Sequence, residues 1–462
     1  MRKIKILLLN PPYKEPIIRD NYCCFTSKSG YLWPPIDLLY LSAILRDKII
    51  ELKVIDAIAE SKSWQDILVW LDKNKQDIVI TLTGTLSYKE DLKGLAKIKN
   101  TKIYILGNTP TFLPEFFLNR YKFINGIIHN FYDIKIKEFL VKDNKNCESI
   151  SYRLKDRIKQ GKVNPFNNFS EVSLGKPPQY HLFPLKKYST PLIKRKPMIT
   201  VMTSFGCPFH CKFCVASALN YYFRKLEDLE KEFNAIKAIG IKEIFFEDST
   251  FNAYSYYTKK ICQLLIKGRY NFSWSANVHS FNLNTELLLL MKKAGCHTVQ
   301  IGVESGSANI LKEYAPTKKI NNIKEAFANC RKLGIKTLGY FIIGFPNETK
   351  KNAEMTIKFA KQLNPDFASF SILTPDYGTP LREELIRKKQ IKDNVGAPFD
   401  SSGKAVIKNL KFSKKNQDYY IKKAYRDFYL RPSKLISYLV NYKKFFSYIK
   451  NGVYLFFKKK IF

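Results

Sequence analysis

Three cysteines, Cys207, Cys211 and Cys214, are spaced C-x3-C-x2-C in the stretch Thr203-Ser-Phe-Gly-Cys-Pro-Phe-His-Cys-Lys-Phe-Cys214. They follow the apolar and β-branched run Ile199-Thr-Val-Met202, so a strand is expected to end where soft sulfur ligands gather in a loop. Thiolates are the ligands of iron-sulfur clusters, and a closed cubane takes four of them. This loop offers three. One iron would be left open to bind the amine and carboxylate of a small molecule, as an open catalytic metal position does. The triplet by itself leaves two other readings standing: a zinc loop with His210 or a distant residue as fourth ligand, or three buried thiols that bind nothing.

The elements that would hold this loop are legible around it. From Met198 onward six apolar runs, 198–203, 243–247, 272–276, 298–303, 336–343 and 367–373, are each followed by a helical period. Six parallel strands with outer helices predict an incomplete TIM-like barrel, in which chemistry lies at the carboxyl ends of the strands. The cysteine loop follows the first strand and Glu247-Asp248-Ser249 closes the second. The fourth ends in Gln300-Ile-Gly-Val-Glu304-Ser305-Gly306, where a carboxylate can accept both hydroxyls of a ribose and a glycine leaves room for the approach. The fifth leads to Gly344-Phe-Pro346-Asn347-Glu348 and the sixth to Pro375-Asp-Tyr377-Gly378-Thr379-Pro380.

Ahead of this barrel, apolar strands at 4–10, 52–56, 77–83, 102–106 and 123–129 alternate with helices beginning near Ile36, Trp64, Lys89, Phe112 and Ile134, the pattern of a doubly wound parallel sheet. Ligands of such sheets sit beyond the carboxyl ends of the strands. Asn10-Pro11-Pro12, Asp56, Thr83-Gly84-Thr85 and Gly107-Asn108-Thr109 would line such a site. The expected division is a Rossmann-like domain over 1–153, a linker over 154–197, the barrel over 198–385 and a helical extension over 386–462.

On the cysteine loop and the Glu304-Ser305-Gly306 segment, the chain resembles the radical S-adenosylmethionine (radical SAM) enzymes. The resemblance implies a 4Fe-4S cluster on Cys207, Cys211 and Cys214, with SAM chelated by the open iron and cleaved by one electron to a 5′-deoxyadenosyl radical. It further implies that Phe213 lies beside the adenine, that Glu304, with Ser305 and Gly306, contacts the ribose or methionyl part, and that Gly344 and Pro346 belong to the adenine-side loop. Asn347 stands where glycine is more usual. No catalytic residue beyond these is identified. The opening Leu-Leu-Leu-Asn10-Pro-Pro, Trp33-Pro34-Pro35, Asp56-Ala57 and Ile105-Leu106-Gly107 resemble the cobalamin-binding domain that precedes the barrel in one subfamily, which adds cobalamin as a cofactor. The chain departs from that pattern at Gly107-Asn108, where paired glycines are common, and at Asn130-Phe131-Tyr132, where the family often has a Gly-Glu-Gly-Glu turn. Arg224 resembles an arginine the subfamily carries beyond the cluster loop, there either to pair with a carboxylate or to lie on a solvated turn.

The composition narrows the setting. The net charge is +38 over 462 residues, but the excess is lysine scattered through helices such as 225–237 and 350–361, which argues against a nucleic-acid groove. No run of about 18 uncharged apolar residues is present to span a membrane. Nine cysteines in a chain of this length do not form a secreted disulfide framework, and cluster thiols need reducing conditions, so a cytoplasmic protein is expected. Cys262, Cys296 and Cys330 read as buried apolar groups, whereas Cys23 and Cys24 sit in a loop that could face the barrel mouth. The aromatic and lysine-rich stretch 435–462 has no acids and allows a peripheral membrane contact or packing on the barrel. The expected partners are therefore SAM, an unidentified substrate and an electron donor such as ferredoxin or flavodoxin, with no specific nucleic acid. The leading function is cobalamin-dependent methylation or rearrangement of an unactivated carbon. The alternatives are a cobalamin-independent radical SAM enzyme on a peptide or small metabolite, and a non-catalytic basic protein that binds nucleic acid or membrane.

Overall fold

The structure, a computed structural model, describes residues 2–142, 146–155, 157–392, 400–432 and 434. The chain opens with β1 (Ile4–Asn10), whose alternate residues serve two cores. Ile6 and Leu8 face one apolar cluster, while Leu7 and Leu9 face another. A strand apolar on both faces must be central in a sheet covered on both sides. It is: β1 pairs in parallel with β4 (Ile50–Asp56) and β5 (Ile78–Leu82), and β6 (Lys102–Leu106) and β7 (Ile124–Ile128) continue the parallel order. Between β1 and β4 lie a short hairpin, β2 (Ile17–Arg19) with β3 (Cys24–Thr26), and the fully buried helix Ile36–Ile44.

The segment read as a linker contains strands. β8 (Ile150–Leu154), at the end of the first domain, adds antiparallel to β7, and β9 (Arg157–Lys159) adds antiparallel to β8, giving the order β4-β1-β5-β6-β7-β8-β9. β10 (Glu171–Val172) pairs with a strand beyond the cysteine loop. These strands are two to five residues long and only half apolar, so their stability comes from the neighbours they pair with rather than from a pattern of their own.

The barrel strands are β11 (Met198–Val201), β14 (Glu243–Phe246), β15 (Ser273–Val278), β16 (Cys296–Glu304), β17 (Lys336–Ile343) and β18 (Phe367–Ile372), joined in that order in one parallel sheet. A small ribbon, β12 (Ser204–Phe205) with β13 (Tyr222–Arg224), brackets the cysteine loop. The barrel does not close, so β18 is an edge, and an edge exposes unpaired main-chain groups. The helix Lys414–Tyr429 covers it. Its Tyr425 and Tyr429 hydroxyls, one turn apart, bond the main chain of Phe370 and Ala368 respectively. The stretch 435–462, for which membrane contact or packing was expected, lies outside the described residues. Among those residues, no helix is long and apolar enough to cross a membrane.

The two sheets share one core, since the same apolar cluster runs from Ile6 and Leu38 to Phe205, Phe246 and Phe341. A polar knot lies within it. Arg224, 1% exposed, pairs with Glu232 at 2.6 Å and donates to Met202 O and to the hydroxyl of Tyr40, which also bonds Glu232, as does Tyr180. Of the two roles open to Arg224, the structure shows the carboxylate pair, tying the N-terminal helix to the flank of the cysteine loop.

Candidate active site at the barrel mouth

The cysteine loop begins at Gly206, whose φ of +71° and closeness to Asn220 O, 2.0 Å from an added Cβ, admit glycine alone without strain. The loop is braced from several sides. Tyr22 of the N-terminal domain accepts from Gly206 N, Lys212 N donates to Tyr314 O, and Ser217 Oγ donates to the carbonyls of Cys211 and Cys214. Beneath it Asp248 accepts from the main chain and hydroxyl of Thr203 and from Ser204 Oγ. The three cysteines are free thiols of intermediate exposure. Burial pushes all three thiols upward, that of Cys211 to about 12. His210, the proposed fourth zinc ligand, is exposed. Among the described residues no three His, Cys, Asp or Glu side chains are gathered to hold a single metal ion.

Glu304 stands across the mouth. The register of β16 against β17 shifts between Gly302 and Glu304, and Glu304 has φ of +64°, a left-handed conformation that costs a residue with a side chain about 1–3 kcal/mol. The kink turns its carboxylate back over Gly302, where an added Cβ would lie 2.3 Å from Oε1. Burial raises the Glu304 pKa, and Lys318, with Nζ 3.5 Å from Oε1, opposes that rise. Ser305 and Gly306 are held from behind by the helix Lys350–Leu363. Ser305 Oγ and Gly306 N both meet Thr356 Oγ1, and an added Cβ on Gly306 would lie 2.5 Å from Met355 O. That glycine makes room for the helix Lys350–Leu363, so the pair anchors Glu304 from behind.

Phe213 packs edge-on against Phe345, 5.8 Å between centroids, which joins the cysteine loop to the Gly344–Pro346 turn. Gly344 has φ of +106° and Pro346 is buried. Asn347, in the unusual glycine position, is exposed and donates to Glu313. The Pro375–Pro380 segment reaches the N-terminal domain, for an added Cβ on Gly378 would lie 2.2 Å from the Phe112 ring.

Several groups at this mouth were not singled out from the sequence. His279 follows β15 and stacks on Phe209 of the cysteine loop at 4.2 Å. Its Nδ1 accepts from Phe281 N, so the neutral ring carries its proton on Nε2, 3.4 Å from Thr317 Oγ1. Burial, with Lys318 assisting, depresses its pKa to about 2. Between the two sheets lie Asp20, Asp37 and Glu247. Trp33 Nε1 donates to Glu247 Oε1 at 2.6 Å, and burial first, then the neighbouring carboxylates, hold Glu247 and Asp37 well above the usual range. Cys23 is the loop cysteine that faces this region, its thiol 3.3 Å from Asp20 Oδ2, whereas Cys24 packs against Gly84. Cys262, Cys296 and Cys330 are buried, as expected.

The strand ends of the N-terminal sheet bond mainly to one another. Asn10 donates to Asp56, Thr83 to Asp91, and Thr85 meets Thr109 at 2.8 Å. Arg19 of the hairpin pairs with Asp91 at 2.9 Å, both side chains fully buried.

The profile of the Radical SAM superfamily matches residues 201–360. The chain is 33% identical over 456 residues to an uncharacterized methyltransferase of Pyrococcus horikoshii, covering 94% of this chain and 95% of that protein. The radical SAM methyltransferase TsrM from Kitasatospora setae, solved with cobalamin and a [4Fe-4S] cluster bound, superposes with a TM-score of 0.66 at 17% identity, over 92% of this chain and 85% of that one. The cobalamin-dependent SAM radical enzyme OxsB, solved with aqua-cobalamin and SAM, superposes with a TM-score of 0.70 at 20% identity, over 97% of this chain and 72% of that one. These likenesses show the fold: a Rossmann-like sheet followed by a partial barrel.

Proposed function

Because the chain belongs to the radical SAM superfamily, we propose that Cys207, Cys211 and Cys214 hold a 4Fe-4S cluster, that SAM occupies the space between this loop and Glu304, and that the enzyme methylates or rearranges an unactivated carbon with the help of cobalamin. The observation that carries the reading is the pairing of a three-thiol loop with a buried carboxylate at the end of β16. The residues fit the cluster. The thiols are free and partly accessible, their loop is braced by main-chain bonds, and a cubane offers each thiolate a separate iron, so its ligands need not meet at one point. For cobalamin the support is a set of acceptors, Asn10 Oδ1, Asn130 Oδ1, both oxygens of Asp37 and Glu247 Oε2, that are buried without a well-formed hydrogen bond. Such acceptors suit the amide N–H groups on a corrin periphery, since a buried acceptor left unpaired is costly.

When bound, the cluster supplies the electron that cleaves SAM to a 5′-deoxyadenosyl radical, and cobalamin supplies a methyl carrier. The chain's own residues orient and shield. Glu304 accepts hydrogen bonds from the ribose or methionyl amine, Phe213 with Gly344 and Pro346 borders the adenine, and the Pro375–Pro380 segment closes the mouth toward the N-terminal sheet, excluding water. Reduction comes from a one-electron donor such as ferredoxin or flavodoxin. The nine free cysteines favour a reducing compartment, the cytoplasm.

The test is anaerobic reconstitution of the full chain with iron, sulfide and hydroxocobalamin. The expected result is a 4Fe-4S signature in absorbance and EPR, bound cobalt, and deoxyadenosine released from SAM under dithionite. Cys211→Ala abolishes the signature and the release. A signature that survives Cys211→Ala overturns the ligand assignment, and protein that retains the cluster but no cobalt overturns the cobalamin part alone.

A further inference from the structure

We propose that Lys318 is the counter-charge of this site, a positioning residue that holds Glu304 and raises the reduction potential of the cluster in the Cys207–Cys214 loop. The inference rests on the cluster assignment above and adds to it a residue that neither the cysteine motif nor the Glu304 segment contains.

Lys318 is 6% exposed and, among the described residues, is the one lysine buried as a whole residue in a chain with 78 lysines and arginines. A lysine is almost never fully buried without a partner for its charge. Its Nζ donates to Gly302 O at 2.7 Å and stands 3.5 Å from Glu304 Oε1, with the two side chains 5% and 11% exposed. The pair is built into the backbone. Gly302 lacks the Cβ that would lie 2.3 Å from Glu304 Oε1 and 2.9 Å from Lys318 Nζ, and the bulge at Glu304 turns the carboxylate toward the lysine. From the other side, Lys318 N bonds Ala315 O, while Thr317 meets His279, which stacks on Phe209 of the cysteine loop. The ammonium is therefore fixed in a turn that is packed on the cluster loop itself.

Through Thr317, His279 and Phe209 its turn borders the loop between two of the three proposed ligands, Cys207 and Cys211. Reduction adds one electron, and hence one negative charge, to the cluster. A fixed cation in a water-poor site stabilises that added charge, because the interaction is screened far less than at the surface. Cluster potentials respond to net charge, hydrogen bonding and exposure. Glu304 acts in the opposite sense, so the lysine also offsets a carboxylate that would otherwise disfavour reduction.

The measurement is the cluster midpoint potential, by EPR-monitored redox titration of the reconstituted full chain without SAM, for wild type, Lys318→Gln, Lys318→Met and Lys318→Arg. Glutamine retains a donor for Gly302 O without the charge, and arginine retains the charge. The expected result is a midpoint moved to more negative potential in the Gln and Met variants and close to wild type in the Arg variant. A wild-type midpoint in both neutral variants at full cluster content overturns the inference. If the neutral variants assemble no cluster, recovery of the cluster in Lys318→Arg supports the charge role, and failure there as well overturns it in favour of simple packing. A wild-type protein with no 4Fe-4S signature strikes the proposed function itself.

Discussion

Glu304 ends β16 and Glu348 lies in the turn after the neighbouring β17, and each meets a glycine, Gly302 or Gly344, yet their surroundings differ. Glu304 has a lysine at 3.5 Å, and its approach to Gly302 crowds the flexible end of its own side chain. Glu348 accepts from the main-chain N–H groups of Gly344 and Phe345, and on the same glycine Gln417 Oε1 would lie 2.6 Å from an added Cβ. Burial raises both acids, but where Lys318 opposes the rise at Glu304, Glu348 reaches about 8. Glu348 Oε1 is a buried acceptor without a partner, and a proton turns it into a donor. The difference teaches that a buried acid with a cation beside it resists the pull of burial toward the neutral form, while one with main-chain donors alone yields to it.

The largest expected effect breaks the comparison on the Glu304 side. A hydrogen bond to a charged group is worth about 1.5–3 kcal/mol, so Glu304→Ala weakens SAM binding about 10- to 100-fold, while the cluster absorbance persists. Equilibrium binding of SAM to reconstituted protein reads this. On the other side, Gly344→Ala forces a side chain into a backbone with φ of +106° and against Gln417, which costs about 1–3 kcal/mol in denaturant unfolding. Gly302→Ala is the milder counterpart. Its backbone tolerates alanine, but Glu304 must leave its rotamer, which costs the folded protein about 0.5–1.5 kcal/mol in denaturant unfolding and lowers SAM affinity as the carboxylate is displaced.

The smallest effect is the one that sharpens the contrast. The Glu348 pKa of about 8 in the folded protein is above its ordinary value of 4.5, so the folded protein holds a proton that the unfolded chain has shed. Its stabilising contribution is fully present below pH 4.5 and is lost as pH rises through about 8. Glu348→Gln, neutral at every pH, removes that slope from stability measured between those limits. An unchanged slope in the variant would show that Glu348 is ionised when folded.

Much of this arrangement was legible in the sequence, for reasons visible in particular residues. The barrel strands announce themselves because runs such as Thr298–Val303 are buried along their length, and the cysteine loop because ligand spacing is local. Glu304 was found because its segment is compact in sequence. Its left-handed backbone was not, since a register shift depends on the neighbouring strand. Lys318 and His279 escaped notice because their meaning lies in contacts with Gly302, Thr317 and Phe209, and one lysine in a chain of net charge +38 carries no signal. At Gly306 the sequence shows that a side chain is missing but not that the helix Lys350–Leu363 needs the space. β9 and β10 fell in the segment read as a linker because strands of two or three residues borrow their order from partners.

The knot of Arg224, Glu232, Tyr40 and Tyr180 bears on how modular this enzyme is. A fragment starting at Met198 would lose both tyrosine hydroxyls, bare the apolar face that the two sheets share, and release the tether from Tyr22 to Gly206. The N-terminal half is thus part of the scaffold that shapes the cysteine loop, and exchanging it between relatives would demand a matched set of side chains along the seam.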